Sequence, residues 1–258
     1  MIKIEKVSSK IVILYLNRPE KLNAMNFKFW GKLPEVIEEL ENNPKISVVI
    51  IAGEGRAFSA GLDIKDFAIN FKENIIAETH IQREALYKQI LLMQKGFDMM
   101  ANGKKIYISA VHGVCIGGGL DMISATDLRF CSKDAIFSLR EIKLGIVADL
   151  GSLNRLPYII GESNTKLLAY TGKDINSTEA LRIGLVNTIY ENKDELLKNV
   201  IKTARDIAIN DKKVLSGIKD VLDYNLKHSI DDSLNYVALR NSSFLNTDGF
   251  KFLLKSKL

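Results

Sequence analysis

The sequence predicts an α/β fold with a helical C-terminal third, on three observations. Strand-like and helix-like segments alternate through the first half of the chain, and the apolar runs there have the length of buried strands. Beyond Leu150 the strand signal nearly vanishes while helical patterning continues.

Each element follows in order. Ile2 to Val7 and Ile11 to Leu16 read as strands, a periodic helix runs from about Phe27 to Glu41, and Ile46 to Ala52, the densest apolar run, has the length of a buried strand. One long helix is expected over roughly Ile75 to Met100, with Ile81, Ala85, Ile90 and Phe97 on a shared apolar face. Ile106 to Val111 is another buried strand, stopped by Gly117, Gly118 and Gly119, which lead into the apolar helix Leu120 to Ala125. Ala135 to Arg140 closes the strand-rich part. Helical segments then fall near Lys166 to Tyr170, Glu179 to Ile183, Lys193 to Ile209, Lys212 to Tyr224 and Ile230 to Asn241. The division is into an α/β domain over residues 1–195 and a helical region over 196–258. No Gly/Ser/Pro linker separates them, so the helices are expected to dock on the α/β part or on a neighbouring subunit.

Composition narrows the function. With 258 residues, 47% hydrophobic and 26% charged, the chain can bury a sizeable core. No apolar run reaches the roughly 18 residues a membrane span requires, so no membrane insertion is expected. The chain opens on a strand, without a signal core or presequence, and the mature protein is expected to begin here. Two cysteines, Cys115 and Cys131, lack metal-type spacing and read as free thiols in a reducing compartment. The net charge of +5 is spread without a dense basic run. It reads as solubility, or as suited to a nucleotide-phosphate ligand, and gives no reason to expect a nucleic-acid partner.

Three constellations could carry chemistry. The small-residue loop Gly53 to Lys65, with Ser59, Ala60, Gly61 and Leu62, lets a ligand approach the backbone and leaves N–H groups to donate; the bland alternative is a turn with a helix cap. The glycines before Leu120 present amides at a helix start, suited to a developing oxyanion, or serve only tight packing. Without GxGxxG or GxxxxGK[ST], nicotinamide and ATP readings are disfavoured. Asp121, Glu141 and Asp149 are acids among apolar residues, where burial and mutual repulsion raise carboxyl pKa values toward those useful in proton transfer. Against that, Asp149 reads as an N-cap for the helix carrying Leu153 and Leu156, and Glu141 as a strand-end surface residue. His80, His112 and His228 fit no catalytic pattern and read as structural or surface residues.

Taken in order, these pieces resemble the crotonase, or enoyl-CoA hydratase/isomerase, superfamily. Asn17 to Met25 is similar to its N-terminal motif, Ala57 to Asp66 to its CoA-binding and oxyanion loop, and Ala110 to Asp127 to its second oxyanion segment. Thr171-Gly172 and Ala180 to Val186 match later landmarks. Gly103-Lys104-Lys105-Ile106 departs from the Lys-Pro pair usual before the central strand.

The resemblance implies a spiral of ββα turns with a C-terminal helical trimerisation region, assembled as a homotrimer or homohexamer. It implies an acyl-CoA thioester substrate whose oxygen sits between the N–H groups of Leu62 and Gly118. Backbone atoms of Ser59 and Ala60, with Lys65, are expected near the adenine of CoA, and Arg18 or Lys21 near its phosphates. CoA enters as part of the substrate; no metal and no separate cofactor is expected. Asp121 and Glu141 stand where hydratases of the family carry two catalytic carboxylates. Asp149 stands where those enzymes usually have glycine, and with Asn235 to Ala238 it resembles the dienoyl-CoA isomerases of the family. That likeness implies a β-oxidation isomerase in which Glu141 and Asp149 move protons and Asp121 positions or tunes them. The alternatives are a 2-enoyl-CoA hydratase and a noncatalytic acyl-CoA-binding or scaffold protein. Ser256-Lys257-Leu258 reads as a peroxisomal signal in a eukaryotic host; the alternative location is the cytoplasm.

Overall fold

The chain folds around a six-stranded sheet and a smaller three-stranded one. The structure is a computed structural model, which describes residues 1–76, 78–243 and 254. The tripeptide at 256–258 lies outside the described residues. Strands β1 (Ile2–Lys6) and β2 (Ile11–Leu16) form an antiparallel hairpin. Then come α1 (Phe27–Asn42), β3 (Val48–Gly53), α2 (Ile64–Ile75), α3 (His80–Ala101), β4 (Ile106–Val111), β5 (Val114–Ile116), α4 (Gly118–Ser124), β6 (Leu128–Ser132) and β7 (Ile136–Ser138). The rest comprises α5 (Ser152–Ile160), α6 (Glu162–Thr171), β8 (Asp174–Asn176), α7 (Ser177–Arg182), β9 (Thr188–Tyr190), α8 (Lys193–Ala208), α9 (Lys212–Asn225) and α10 (Ile230–Ser242).

The large sheet runs β1-β2-β3-β4-β6-β9, parallel beyond the first pair, and the small sheet runs β5-β7-β8. In the middle of the chain successive strands alternate between the two sheets: β4 is followed by β5 and α4, and β6 by β7 and α5. This is the expected ββα spiral. The apolar runs are continuous because the large sheet is covered on both faces. Along β2, Val12, Leu14 and Leu16 pack toward α1, α3 and α4, while Ile11, Ile13 and Tyr15 face Leu196, Val200 and Ala204 of α8.

Two sequence expectations need correction, and one departure from the family pattern finds its physical setting. The helix expected from about Ile75 to Met100 is α3 and begins at His80, because Thr79 and Gln82 form a reciprocal capping box there; Ile75 instead closes a separate helix, α2. Two short strands, β8 and β9, lie beyond Leu150; at three residues each they are too short for an alternating pattern to register. The loop lacking Lys-Pro is held by Glu41, whose carboxylate accepts the N–H groups of Lys104 at 2.8 Å and Lys105 at 3.3 Å.

The C-terminal helices dock on the α/β part. Buried Lys219 of α9 donates to the carbonyls of Met100 and Lys105 and pairs with Asp127 at 3.1 Å, and α10 rests on α9 through Tyr236 Oη to Asp220 at 2.7 Å. Among the described residues no helix is long and apolar enough to cross a membrane.

Candidate active site

Three segments that leave strand ends converge on a cavity of about 490 Å³: the loop after β3, the start of α4, and the stretch from the 3-10 turn at Glu141–Leu144 to Leu150. Leu22, Ile64, Met93, Ile116, Leu144 and Ile146 give it apolar walls, and Asp121, Glu141 and Asp149 all line it. A larger cavity of about 700 Å³, between α5 and α9, holds none of the three acids, and its Asp127 is already paired with Lys219. Size therefore points away from the site that chemistry selects.

The loop after β3 is pinned on both sides. Ser59 N–H donates to Val114 O at 2.9 Å and Ser59 O accepts from Ile116 N at 3.0 Å, so the loop extends the small sheet beside β5. On its other edge Ala60 N–H donates to Leu22 O, Met25 N–H to Gly61 O, and Asp63 N–H to Met25 O. Leu62 N–H falls between these bonds and has no acceptor among the described residues. Gly61, at φ 81°, is where the loop touches α4. A Cβ there would lie 2.5 Å from Ile116 O and 3.2 Å from Gly118 N, so only glycine lets the loop come this close to the start of α4.

Gly118 is the first residue of α4, so its N–H has no intrahelical acceptor, and no other described group accepts it. Two unpaired amides, at Leu62 and Gly118, thus border one apolar cavity. A Cβ on Gly117 would stand 2.9 Å from Glu141 Oε1, so the backbone at this turn and the carboxylate are in close apposition.

The three acids differ in setting. Asp121 is 1% exposed, and its Oδ1 accepts Ser152 N–H at 2.8 Å, satisfying an amide in the first turn of α5. Burial raises its pKa to about 6, with the Ser152 bond opposing and the Asp149 charge adding. Burial pushes Glu141 up to about 7, and the neighbouring Asp121 charge adds to it. Glu141 Oε2 is buried without a hydrogen-bond partner among the described residues, the condition of a carboxyl poised to take a proton or bind one. Burial also raises Asp149, whose backbone carbonyl accepts Gln94 Nε2 at 2.5 Å.

These placements decide between the sequence alternatives. Asp149 does not cap α5: the N-cap is Gly151, and the carboxylate on the helix amide belongs to Asp121. Glu141 is no surface residue, since its carboxyl is buried against Gly117.

Of the residues expected to bind, Leu62, Ala60 and Gly118 line the cavity, whereas Arg18, Lys21, Ser59 and Lys65 do not. Arg18 Nη1 is held by Asp63 Oδ2 at 2.6 Å, and Lys21 and Lys65 are exposed. Ser59 is fully buried; its hydroxyl donates to Asn23 O and accepts Gly61 N–H, so it shapes the loop from behind. None of the three histidines reaches the cavity; buried His112 bonds Gly55 O, and His228 stacks on Tyr224. Both cysteines are free and buried. Among the described residues no group of His, Cys, Asp or Glu is placed to hold a metal ion.

The sequence reading missed Ser152, whose amide fixes Asp121, and Gln94, which holds Asp149. The Gly151-Ser152 pair ahead of an apolar helix signalled the first; nothing signalled the second.

The family model described as enoyl-CoA hydratase/isomerase matches residues 6–252. The chain is 40% identical to a mitochondrial delta(3,5)-delta(2,4)-dienoyl-CoA isomerase of Dictyostelium discoideum, over 96% of this chain and 85% of that protein. It is 37% identical to the peroxisomal delta(3,5)-delta(2,4)-dienoyl-CoA isomerase of Arabidopsis thaliana, over 95% and 88% respectively. Its fold superposes on the crystal structure of an enoyl-CoA hydratase from Thermoplasma volcanium with a TM-score of 0.86, at 27% identity, covering 99% of this chain and 96% of that one. On the family match, the relatives and the shared fold, this chain belongs to the enoyl-CoA hydratase/isomerase family.

Proposed function

We propose that this chain isomerises 3,5-dienoyl-CoA to 2,4-dienoyl-CoA in fatty-acid β-oxidation. The observation that carries the reading is the third acid: Asp149 shares one apolar cavity with Asp121, Glu141 and the two unpaired amides. The similarity to dienoyl-CoA isomerases over nearly the whole chain supports it.

The thioester oxygen accepts from Leu62 and Gly118, which together favour the enolate; losing one such donor in other enzymes costs ~3 kcal/mol. Glu141, packed against Gly117 beside the oxyanion donor Gly118, is at the thioester end. It removes a proton from C2, and the electron pair delocalises along the conjugated chain to C6. Asp149 delivers a proton to C6, leaving double bonds at C2–C3 and C4–C5 and no net change in atoms or charge. A carboxyl with a pKa of about 7 divides evenly between base and acid near neutrality, which suits Glu141 to accept and release the proton. Asp121 positions the Ser152 turn and, by its charge, keeps Glu141 basic. The cycle needs no metal or separate cofactor.

The apolar walls accept the acyl chain, and Ala60 lies toward CoA, with Lys21 and Lys65 the cations for its phosphates once Arg18 is committed to Asp63. Exposed Ile218, Leu222, Ile230 and Leu234 on α9 and α10 support assembly as a homotrimer or homohexamer. The terminal Ser256-Lys257-Leu258 supports peroxisomal import, and relatives named peroxisomal and mitochondrial fit an organellar setting.

The test is turnover of a 3,5-dienoyl-CoA, followed as the rise of 2,4-dienoyl absorbance, beside hydration of crotonyl-CoA. Wild type isomerises the diene and Asp149→Asn does not. Diene left untouched while both proteins hydrate crotonyl-CoA equally makes the chain a hydratase, with Asp121 and Glu141 activating water. Binding of CoA esters without any turnover makes it a noncatalytic binding protein.

A further inference from the structure

The segment carrying Asp149 is held from outside the cavity. Gln94 of α3 donates Nε2–H to the Asp149 carbonyl at 2.5 Å. One residue on, Arg155 Nη1 donates to the Leu150 carbonyl at 3.3 Å, and the same guanidinium pairs through Nη2 with Asp98, one turn along α3 from Gln94. Between them Gly151 sits at φ 113°, and a Cβ there would fall 1.9 Å from Arg155 Nη1, so the guanidinium lies directly against the bare backbone. Then Ser152 N–H is fixed by Asp121. Four consecutive residues are thus tied down, three by a hydrogen bond and one by close packing. Two of those ties lead to a single face of α3, whose Met93 and Phe97 are anchored in the core. Gln94 and Asp98 do not line the cavity.

We propose that Gln94 and the Arg155–Asp98 pair are positioning residues that set the Asp149 carboxyl against the distal end of the substrate. The inference rests on the reading of Asp149 as the acid acting at C6. A loop acid has no rotamer-locking helix or strand beneath it, and a displacement of about 1 Å at a reacting group lowers rates by up to about a hundredfold. Gln94 reaches the main chain and not the carboxylate. It therefore controls where Asp149 stands, and kcat is the quantity it moves.

Two variants of full-length protein test this. Gln94→Met keeps the length and removes the donor; kcat for the 3,5-diene falls about tenfold or more with KM and the melting temperature near wild type. Gln94→Glu donates to the Asp149 carbonyl only when protonated. Its kcat relative to wild type at the same pH therefore rises as pH is lowered from 8 to 5, a rescue that a packing role does not produce. Wild-type kcat in Gln94→Met, or a parallel loss of kcat, KM and melting temperature without pH rescue in Gln94→Glu, overturns the proposal. Asp149→Asn serves as the reference: full isomerase activity in that variant refutes the role of Asp149 itself, whatever Gln94 does.

Discussion

Replacing Asp121 by Asn separates the cost of burying this acid from its use. The side chain is 1% exposed, and its hydrogen bond from Ser152 N–H to Oδ1 at 2.8 Å is available to the amide oxygen of Asn as well. Folding raises the carboxyl from its ordinary 3.8 to about 6. Between those values the folded protein holds a proton that the unfolded chain has released, so stability from this group falls as pH rises from about 4 to about 6 and stays low above it. At ~1.36 kcal/mol per pKa unit the full penalty is about 3 kcal/mol. Asn carries no ionisation cost but brings an NH₂ that needs a partner, worth about 1–2 kcal/mol when unsatisfied. The expected result is a variant more stable than wild type by about 1–2 kcal/mol at pH 8 and no more stable than wild type at pH 4, with dienoyl isomerisation reduced. Urea denaturation at the two pH values, protein concentration held fixed, measures it. A variant destabilised at pH 8, or one whose advantage is the same at both, refutes burial as the source of the raised pKa.

Turnover should depend on pH through Glu141: kcat climbs as pH passes through about 7, where the carboxyl ionises, and Glu141→Gln removes both that limb and at least about two orders of magnitude of rate. Gly61→Ala places a methyl 2.5 Å from Ile116 O at a φ of 81°, and separates Leu62 from Gly118; diene turnover falls about a hundredfold, and thermal melting shows a loss of about 1–3 kcal/mol. Lys219→Met removes the cation beside Asp127 and the donor to two buried carbonyls, costing about 3–5 kcal/mol in denaturant titration; a loss under about 1 kcal/mol means that α9 is held by its apolar contacts alone.

The strands that build the large sheet were legible because both of its faces are covered, so β2 and β3 are apolar throughout and β4 is interrupted only by Ser109. The start of α3 was placed about five residues early because only Thr79 with Gln82, a local capping pair, marks it. The acids were found as polar residues among apolar ones, a signal that burial makes strong. Their setting was not legible, because Asp121 meets Ser152 and Asp149 meets Gln94 across 31 and 55 residues of chain. The settings of Ser59 and Arg18 were not legible for the same reason: both belong to the motif that builds the loop, and a motif does not say which of its members line the cavity.

The central claim is that Glu141 and Asp149 serve opposite ends of one substrate. It is tested most directly by incubating a 3,5-dienoyl-CoA with wild type, Asp149→Asn and Glu141→Gln in D₂O and following deuterium at C2 of recovered substrate and at C6 of product by NMR. The account predicts deuterium at C6 of the product from wild type, C2 exchange without product from Asp149→Asn, and neither from Glu141→Gln. Loss of C2 exchange in Asp149→Asn together with its survival in Glu141→Gln contradicts the assignment of ends, and wild-type product formation by either variant contradicts the proton shuttle itself.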